Sequence, residues 1–140
     1  MLIVERVAAA LALFAAAHFS MGFINSSPGG SGGSLLFPFS TSSASTWVFG
    51  SLDRGVAALL IPVMIGLAGL AVLAFFLAFL ATFGLWVPTD LWPRLVLIGA
   101  ICSAAVLVLH PSIWIVIPLA LDVVLLWVAW TEAWTPVAPA

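Results

Sequence analysis

Charge is the property that this sequence has least of. Only 6% of its 140 residues are charged, with three arginines, no lysine and five acids, and the formal net charge is −2. The chain therefore offers no basic surface for nucleic acid. Cys102 is the one cysteine, which excludes an intramolecular disulfide and any chemistry that needs a pair of thiols.

Chemical motifs are equally scarce. The sequence has no glycine-rich phosphate loop, no nucleophile elbow and no spacing typical of metal ligands. We therefore predict no metal site, and no catalytic activity of the chain on its own.

Apolar residues, in contrast, make up 65% of the chain, a share typical of integral membrane proteins. A membrane crossing needs roughly 20 apolar residues. We predict a single transmembrane domain over residues 1–140, with the lipid bilayer as its surroundings. Its four spans are predicted at about 4–24, 55–86, 91–109 and 112–131. A long Gly/Ser-rich loop, 25–51, separates the first two.

The connections between the later spans are short, so consecutive helices should be antiparallel neighbours. This predicts an all-α fold, an up-and-down four-helix bundle. Asp90 is placed to cap the third helix. A straight helix over 55–86 would extend roughly 48 Å, well beyond a hydrocarbon core of about 30 Å. We therefore expect the second span to bend at Pro62 or to tilt strongly.

Positive charge indicates the orientation. With four spans, Arg6 and Arg94 share the side of both termini and Arg54 lies on the other, which favours cytoplasmic termini. We expect the protein in the cytoplasmic membrane of a prokaryote. Tryptophans fall near the predicted ends of the spans, as in an aromatic belt. Those near the inner interface are Trp86, Trp92, Trp130 and Trp134, and those near the outer one are Trp47 and Trp114.

Small residues recur at helical spacing along the second and third spans, and small residues allow membrane helices to approach closely. They predict a helix-packing face, either inside the bundle or against another subunit. Its members are Ala71, Ala74, Ala78, Ala81, Gly99 and Ser103.

Asp122 is the most informative residue, because it lies near the middle of the last apolar segment. An ionisable group at that depth costs several kcal/mol unless it has a partner. Estimated depths place His18 of the first span at a similar level, so we predict that Asp122 points into protein with His18 as its partner. Such a pair would be a structural clasp between helices, or it would handle protons or bind a quinone. Alternatively, Asp122 faces another subunit or a lipid-filled gap.

A second polar group is predicted at the outer face, where Asp53 and Arg54 begin the second span and His110 follows the third. These residues would form a small polar site beneath the 25–51 loop, or they would simply mark helix ends in the headgroup region.

The layout resembles the DoxX-like group of small four-helix membrane proteins. The similarity lies in the Glu5-Arg6 opening of the first span, the His18 to Gly22 segment that closes it, the long loop that follows, and the Ala-Leu-Asp-Val-Val-Leu-Leu run at 120–126. The resemblance implies a link to respiratory, thiosulfate or quinone redox complexes and to redox homeostasis, with quinone as the possible cofactor.

Three functions follow as hypotheses. The first is an accessory subunit of a larger membrane complex, respiratory or photosynthetic, with other membrane subunits as partners. The second is a DoxX-like, quinone-linked redox component. The third is a small oligomeric transporter or channel, which requires Asp122 to face an axis between copies.

Overall fold

The computed structural model describes residues 3–24, 54–108 and 116–131. Within these ranges the chain is all-helical, with four α-helices, one 3-10 turn and no strand. The helices are α1 (Ile3–Ile24), α2 (Arg54–Thr82), α3 (Trp92–Val108) and α4 (Val116–Trp130), and the 3-10 turn is Thr89–Leu91. The predicted loop at 25–51 lies outside the described residues.

Three of the helical segments are long and apolar enough to cross a membrane. They are Ile3–Met21, Pro62–Thr82 and Thr89–Val108, with 19, 21 and 20 residues. These lengths indicate an integral membrane protein. The described part of α4 has 15 residues, or roughly 22 Å, which is shorter than a hydrocarbon core of about 30 Å. The fourth crossing therefore stays a prediction.

Helix α2 has 29 residues and continues through Pro62. It ends at Thr82, four residues before the end of the predicted span at 55–86. Its straight length would be roughly 43 Å, so it still exceeds the apolar core. The bend at Pro62 stays a prediction.

Gly84 explains why α2 ends where it does. Its φ of 66° is left-handed, a conformation that glycine adopts at little cost. The Gly84 N–H donates to the carbonyl of Ala81 and the Leu85 N–H donates to the carbonyl of Leu80, each at 3.0 Å. This pair of bonds is the Schellman motif, which satisfies carbonyls at a helix end. The apolar residues after Gly84 therefore belong to a turn and not to the helix.

The turn between α2 and α3 is tight. The Val87 N–H donates to the Leu85 carbonyl at 2.7 Å, and the residue between them, Trp86, has a φ of 57°. Asp90 lies inside the 3-10 turn that follows, and α3 begins at Trp92. The prediction that Asp90 caps α3 is wrong, because the extra 3-10 turn moves the helix start beyond its reach as an N-cap.

Helices α2 and α3 run antiparallel, as contacts at three levels indicate. Trp92 Nε1 donates to Thr82 Oγ1 at 2.9 Å where α2 ends and α3 begins. Further along, Gly99 faces the ring of Phe75. At the other end of the pair lies a small buried cluster of Met64, Ala68 and Val106.

Trp92 is a core residue, because its side chain is fully buried. Its interpretation as one of the interfacial tryptophans is therefore wrong, and its indole N–H finds a hydroxyl inside the protein. Trp86 and Trp130, in contrast, are 94% and 80% exposed. Exposed tryptophans at helix ends fit the region where lipid headgroups meet the apolar core.

The interior is built from small side chains around a few large ones. Every residue of the predicted packing face is buried: Ala71, Ala74, Ala78, Ala81, Gly99 and Ser103. Around them, Leu13 of α1, Phe75 of α2, Val96 of α3 and Leu125 of α4 fill the core. All four helices therefore contribute to one packed interior, and α2 contacts both α1 and α3 extensively.

Candidate functional site: a buried polar cluster between three helices

Asp122 lies in the middle of α4 and is only 1% exposed. The next two residues, Val123 and Val124, are 56% and 50% exposed and lie on other sides of the helix. The carboxyl group therefore points into the protein interior and away from the outer surface of the helices, as the sequence predicts.

The described partner of this carboxyl group is Ser103 of α3, whose side chain is hydrogen-bonded to it. Ser103 is in turn 3.3 Å from the hydroxyl of Ser20 on α1, measured between the Oγ atoms. Both serines are buried, at 4% and 2% exposure. One polar side chain from each of α1, α3 and α4 thus meets at one level of the interior. We call these three residues the Ser20–Ser103–Asp122 cluster.

Local helix chemistry explains why serine is tolerated at these positions. Ser20 Oγ lies 2.9 Å from the carbonyl oxygen of Ala16, one turn earlier in α1. A serine in a helix commonly donates to the carbonyl four residues before it. The hydroxyl is therefore satisfied within its own helix, and it is also in reach of Ser103.

The carboxyl group itself is only half satisfied. Its Oδ2 atom is buried and has no hydrogen-bond partner among the residues that the structure describes. An unpartnered polar atom in an apolar interior is costly, and an ionised one is far more so. A group with one open position of this kind is typical of a site that exchanges a ligand or a proton and is less typical of a purely structural clasp.

His18 was the predicted partner of Asp122. Its imidazole is half-buried and stacks on Phe14, with ring centroids 6.5 Å apart, and it meets the edge of Phe19 at 6.3 Å. His18 precedes Ser20 by two residues, which is roughly 200° around a helix. Ser20 faces α3, so this rotation directs the two side chains to different sides of α1. The His18–Asp122 pair stays a prediction.

Most of the predicted outer polar group lies outside the residues that the structure describes. Asp53 and His110 lie outside the described residues, and Arg54 is the first residue of α2. Whether the three form a site stays a prediction.

Sequence reasoning took Ser103 as a packing residue and did not assign a role to Ser20. The signal that was present in the sequence is a hydroxyl in the interior of an otherwise apolar span. Two such hydroxyls on different spans are candidates for the partner of a buried acid, because a bilayer interior offers few other donors.

The described part of the chain contains no group of three or more His, Cys, Asp and Glu residues that could hold a metal ion. No family model, curated protein or solved structure matches the sequence. The cluster and the surfaces around it are therefore the basis for a functional proposal.

Proposed function

We propose that this protein is a small integral membrane subunit of a larger energy-transducing complex that transfers electrons. The observation that carries the proposal is the Ser20–Ser103–Asp122 cluster. Ionisable groups inside membrane segments are costly, and they commonly mark ion pathways and proton relays. A buried acid that is hydrogen-bonded to Ser103, which in turn contacts Ser20, is suited to that chemistry.

The outer surfaces of the helices support the role of a subunit. α4 exposes a continuous set of large apolar side chains: Val116, Ile117, Val123, Val124, Trp127 and Trp130. α1 exposes another set: Ile3, Val4, Val7, Leu11 and Phe14. These faces can pack against lipid or against the helices of neighbouring subunits.

The second candidate is a quinone-linked redox component of the DoxX-like type, acting without a larger complex. The open Oδ2 position of Asp122 favours it, because a buried carboxyl group could exchange a hydrogen bond with a quinone or quinol oxygen. This candidate differs from the first in requiring that the isolated chain bind quinone.

The third hypothesis, an oligomeric transporter or channel, has less support. It required Asp122 to face an axis between copies of the chain. Asp122 is instead buried against α3 of its own chain.

Purification in mild detergent from native membranes tests the proposal. We expect other membrane subunits to co-purify, and we expect Asp122→Asn to lower the electron-transfer activity of the isolated complex. Asp90→Asn is the matched control, because Asp90 is an exposed acid in the turn before α3. A homogeneous protein without partners would contradict the proposal. Quinone that stays bound to that lone protein, and is lost in Asp122→Asn, would favour the second candidate.

A further inference from the structure

The hydroxyl of Ser20 has two acceptors within reach but only one hydrogen to donate. Its Oγ lies 2.9 Å from the Ala16 carbonyl oxygen and 3.3 Å from Ser103 Oγ. Ser103 likewise has one hydrogen and is bonded to the Asp122 carboxyl group. A hydroxyl can donate one hydrogen bond and accept others. The hydrogen bonds that link Ala16, Ser20, Ser103 and Asp122 can therefore be arranged in two consistent ways.

In the first arrangement Asp122 is a carboxylate. Ser103 then donates to Asp122, and Ser20 donates to Ser103. In the second arrangement Asp122 carries a proton. Its O–H donates to Ser103, Ser103 donates to Ser20, and Ser20 donates to the Ala16 carbonyl. The two arrangements differ by one proton on the carboxyl group and by rotation of two hydroxyls, and the hydrogen bond from Ser20 to the Ala16 carbonyl is made only in the second.

From this geometry we propose that the Ser20–Ser103–Asp122 cluster is a proton-binding site, in which Asp122 takes up the proton and the two hydroxyls reverse direction to accommodate it. When Asp122 is protonated, the Ala16 carbonyl accepts the last hydrogen bond of the series. Both serine hydroxyls therefore have an acceptor whether Asp122 is ionised or protonated.

The unpartnered Oδ2 atom supports a proton as the ligand. In the protonated arrangement the O–H is on the oxygen that faces Ser103, so Oδ2 is a neutral carbonyl oxygen, and leaving it without a partner costs less than leaving a charged one. A metal ion would need several more oxygen or nitrogen ligands than one carboxyl group and two hydroxyls. A proton needs no cavity.

Among the residues that the structure describes, few other titratable groups lie near the cluster. His18 on α1 and Cys102 on α3 are the closest along their helices, while residues 62–82 of α2 contain none and α4 has only Asp122. Arg6 and Arg94 precede Ser20 and Ser103 by roughly 21 Å and 14 Å along their helix axes. The experiment must therefore distinguish protonation of Asp122 from an effect of His18.

The site deepens the proposed function, since its use in energy transduction rests on that proposal. Proton binding itself, however, is a property of the isolated chain. Failure to find a partner complex would leave the site intact, and failure to find the proton would leave the complex intact. The following measurements therefore test only the site.

Infrared spectroscopy detects the proton directly, because a protonated carboxyl group has a C=O stretch distinct from the bands of a carboxylate. The chain has three aspartates, Asp53, Asp90 and Asp122. With carboxyl-¹³C aspartate in an Asp53→Asn/Asp90→Asn background, Asp122 is the one labelled acid. We expect the full-length protein in liposomes to show an isotope-shifted C=O band in mildly acidic to neutral buffer. Carboxylate bands alone across that range would overturn the proposal.

Variants of the hydroxyls test the chain of hydrogen bonds. In the same labelled background, Ser103→Ala should move the band to higher frequency, because the hydrogen bond to the carboxyl group is lost. Ser103→Thr, which retains a hydroxyl, should leave it in place, and Ser20→Ala should shift it less than Ser103→Ala. A band that Ser103→Ala does not move would overturn the assignment of Ser103 to the site.

His18→Gln provides the last comparison. We expect it to leave the Asp122 band unchanged. A band that is absent in the parent protein and emerges in His18→Gln would mean that Asp122 is ionised beside a charged imidazole, which would overturn the proposal. Circular dichroism of each variant checks that its helices are retained.

Discussion

Gly99 of α3 lies so close to Phe75 of α2 that a methyl group does not fit between them. A Cβ atom built at Gly99 would be 2.8 Å from two carbons of the Phe75 ring, which is itself fully buried. We expect Gly99→Ala to destabilise the protein by about 1–3 kcal/mol through overpacking, with up to about 1 kcal/mol of this offset by the higher helix propensity of alanine.

The matched control for Gly99→Ala is Gly66→Ala on α2, where no atom lies within 4 Å of the added Cβ. Here the gain in helix propensity should act alone and raise stability by up to about 1 kcal/mol. Thermal unfolding in detergent, followed by circular dichroism, measures both variants. If the two alanines had the same effect, Gly99 would not be required for the close packing of α2 and α3.

The partner of Asp122 can be identified by double-mutant cycles read as unfolding free energy in detergent. Ser103→Ala and Asp122→Leu should be coupled by about 0.5–3 kcal/mol, because the two side chains are hydrogen-bonded. The predicted His18–Asp122 pair requires coupling of the same size between His18→Leu and Asp122→Leu. Additivity in the histidine cycle, within about 0.5 kcal/mol, would reject that pair. Additivity in the serine cycle would reject Ser103 as the partner.

The burial of Asp122 could be predicted from the sequence, because the cost of a carboxyl group facing lipid leaves few alternatives. Its described partner, Ser103, could not be predicted in this way. Counting residues along a span gives the depth of a side chain, but not its direction around the axis relative to other helices. His18 and Ser20 differ in depth by only about 3 Å, yet they point in different directions around α1. A serine in an apolar helix also gives a weak signal, because the helix backbone can satisfy its hydroxyl.

At the level of the helices, the apolar runs of the sequence located α1, α2 and α3 within a few residues but missed the end of α2. The run Leu85-Trp86-Val87 is as apolar as the helix before it, so hydropathy gives no stop. The stop is a backbone property, the left-handed Gly84 and its two capping bonds. A glycine followed by Pro88 four residues later was the available indication.

The cap of α2 can be tested by a graded series at Gly84. Its φ of 66° disfavours residues with a Cβ, although the nearest atom to an added Cβ, Thr89 Cγ2, is 4.0 Å away. The cost of Gly84→Ala should therefore be conformational, about 1–2 kcal/mol, and Gly84→Asn should cost less because asparagine tolerates this conformation. Gly69→Ala, at a helical position with open space, is the control. An alanine at 84 that is no worse than asparagine would contradict the assignment of the cap.

For the whole molecule, the sequence and the structure together support insertion in a membrane. Helix α1 contains an apolar segment of 19 residues, Ile3–Met21, long enough for one crossing. If α1, α2, α3 and α4 each cross once, the 25–51 loop and the chain end after α4 lie on opposite sides. Arg6 and Arg94 lie near the starts of α1 and α3, on the same side as the two termini in this topology. They favour a cytoplasmic location for the termini.

Single cysteines placed at Ser31 and at Ala138 test this topology with a thiol reagent that does not cross membranes. Cys102 is the lone native cysteine and is buried in α3, so Cys102→Ala gives a background without other thiols while keeping a small side chain in the core. In intact cells we expect labelling at position 31 and none at position 138, and in inverted vesicles the opposite. Labelling of both positions from the same side would mean an even number of crossings between them instead of three, so α4, the shortest described α-helix, would be the first to lose its assignment as a span.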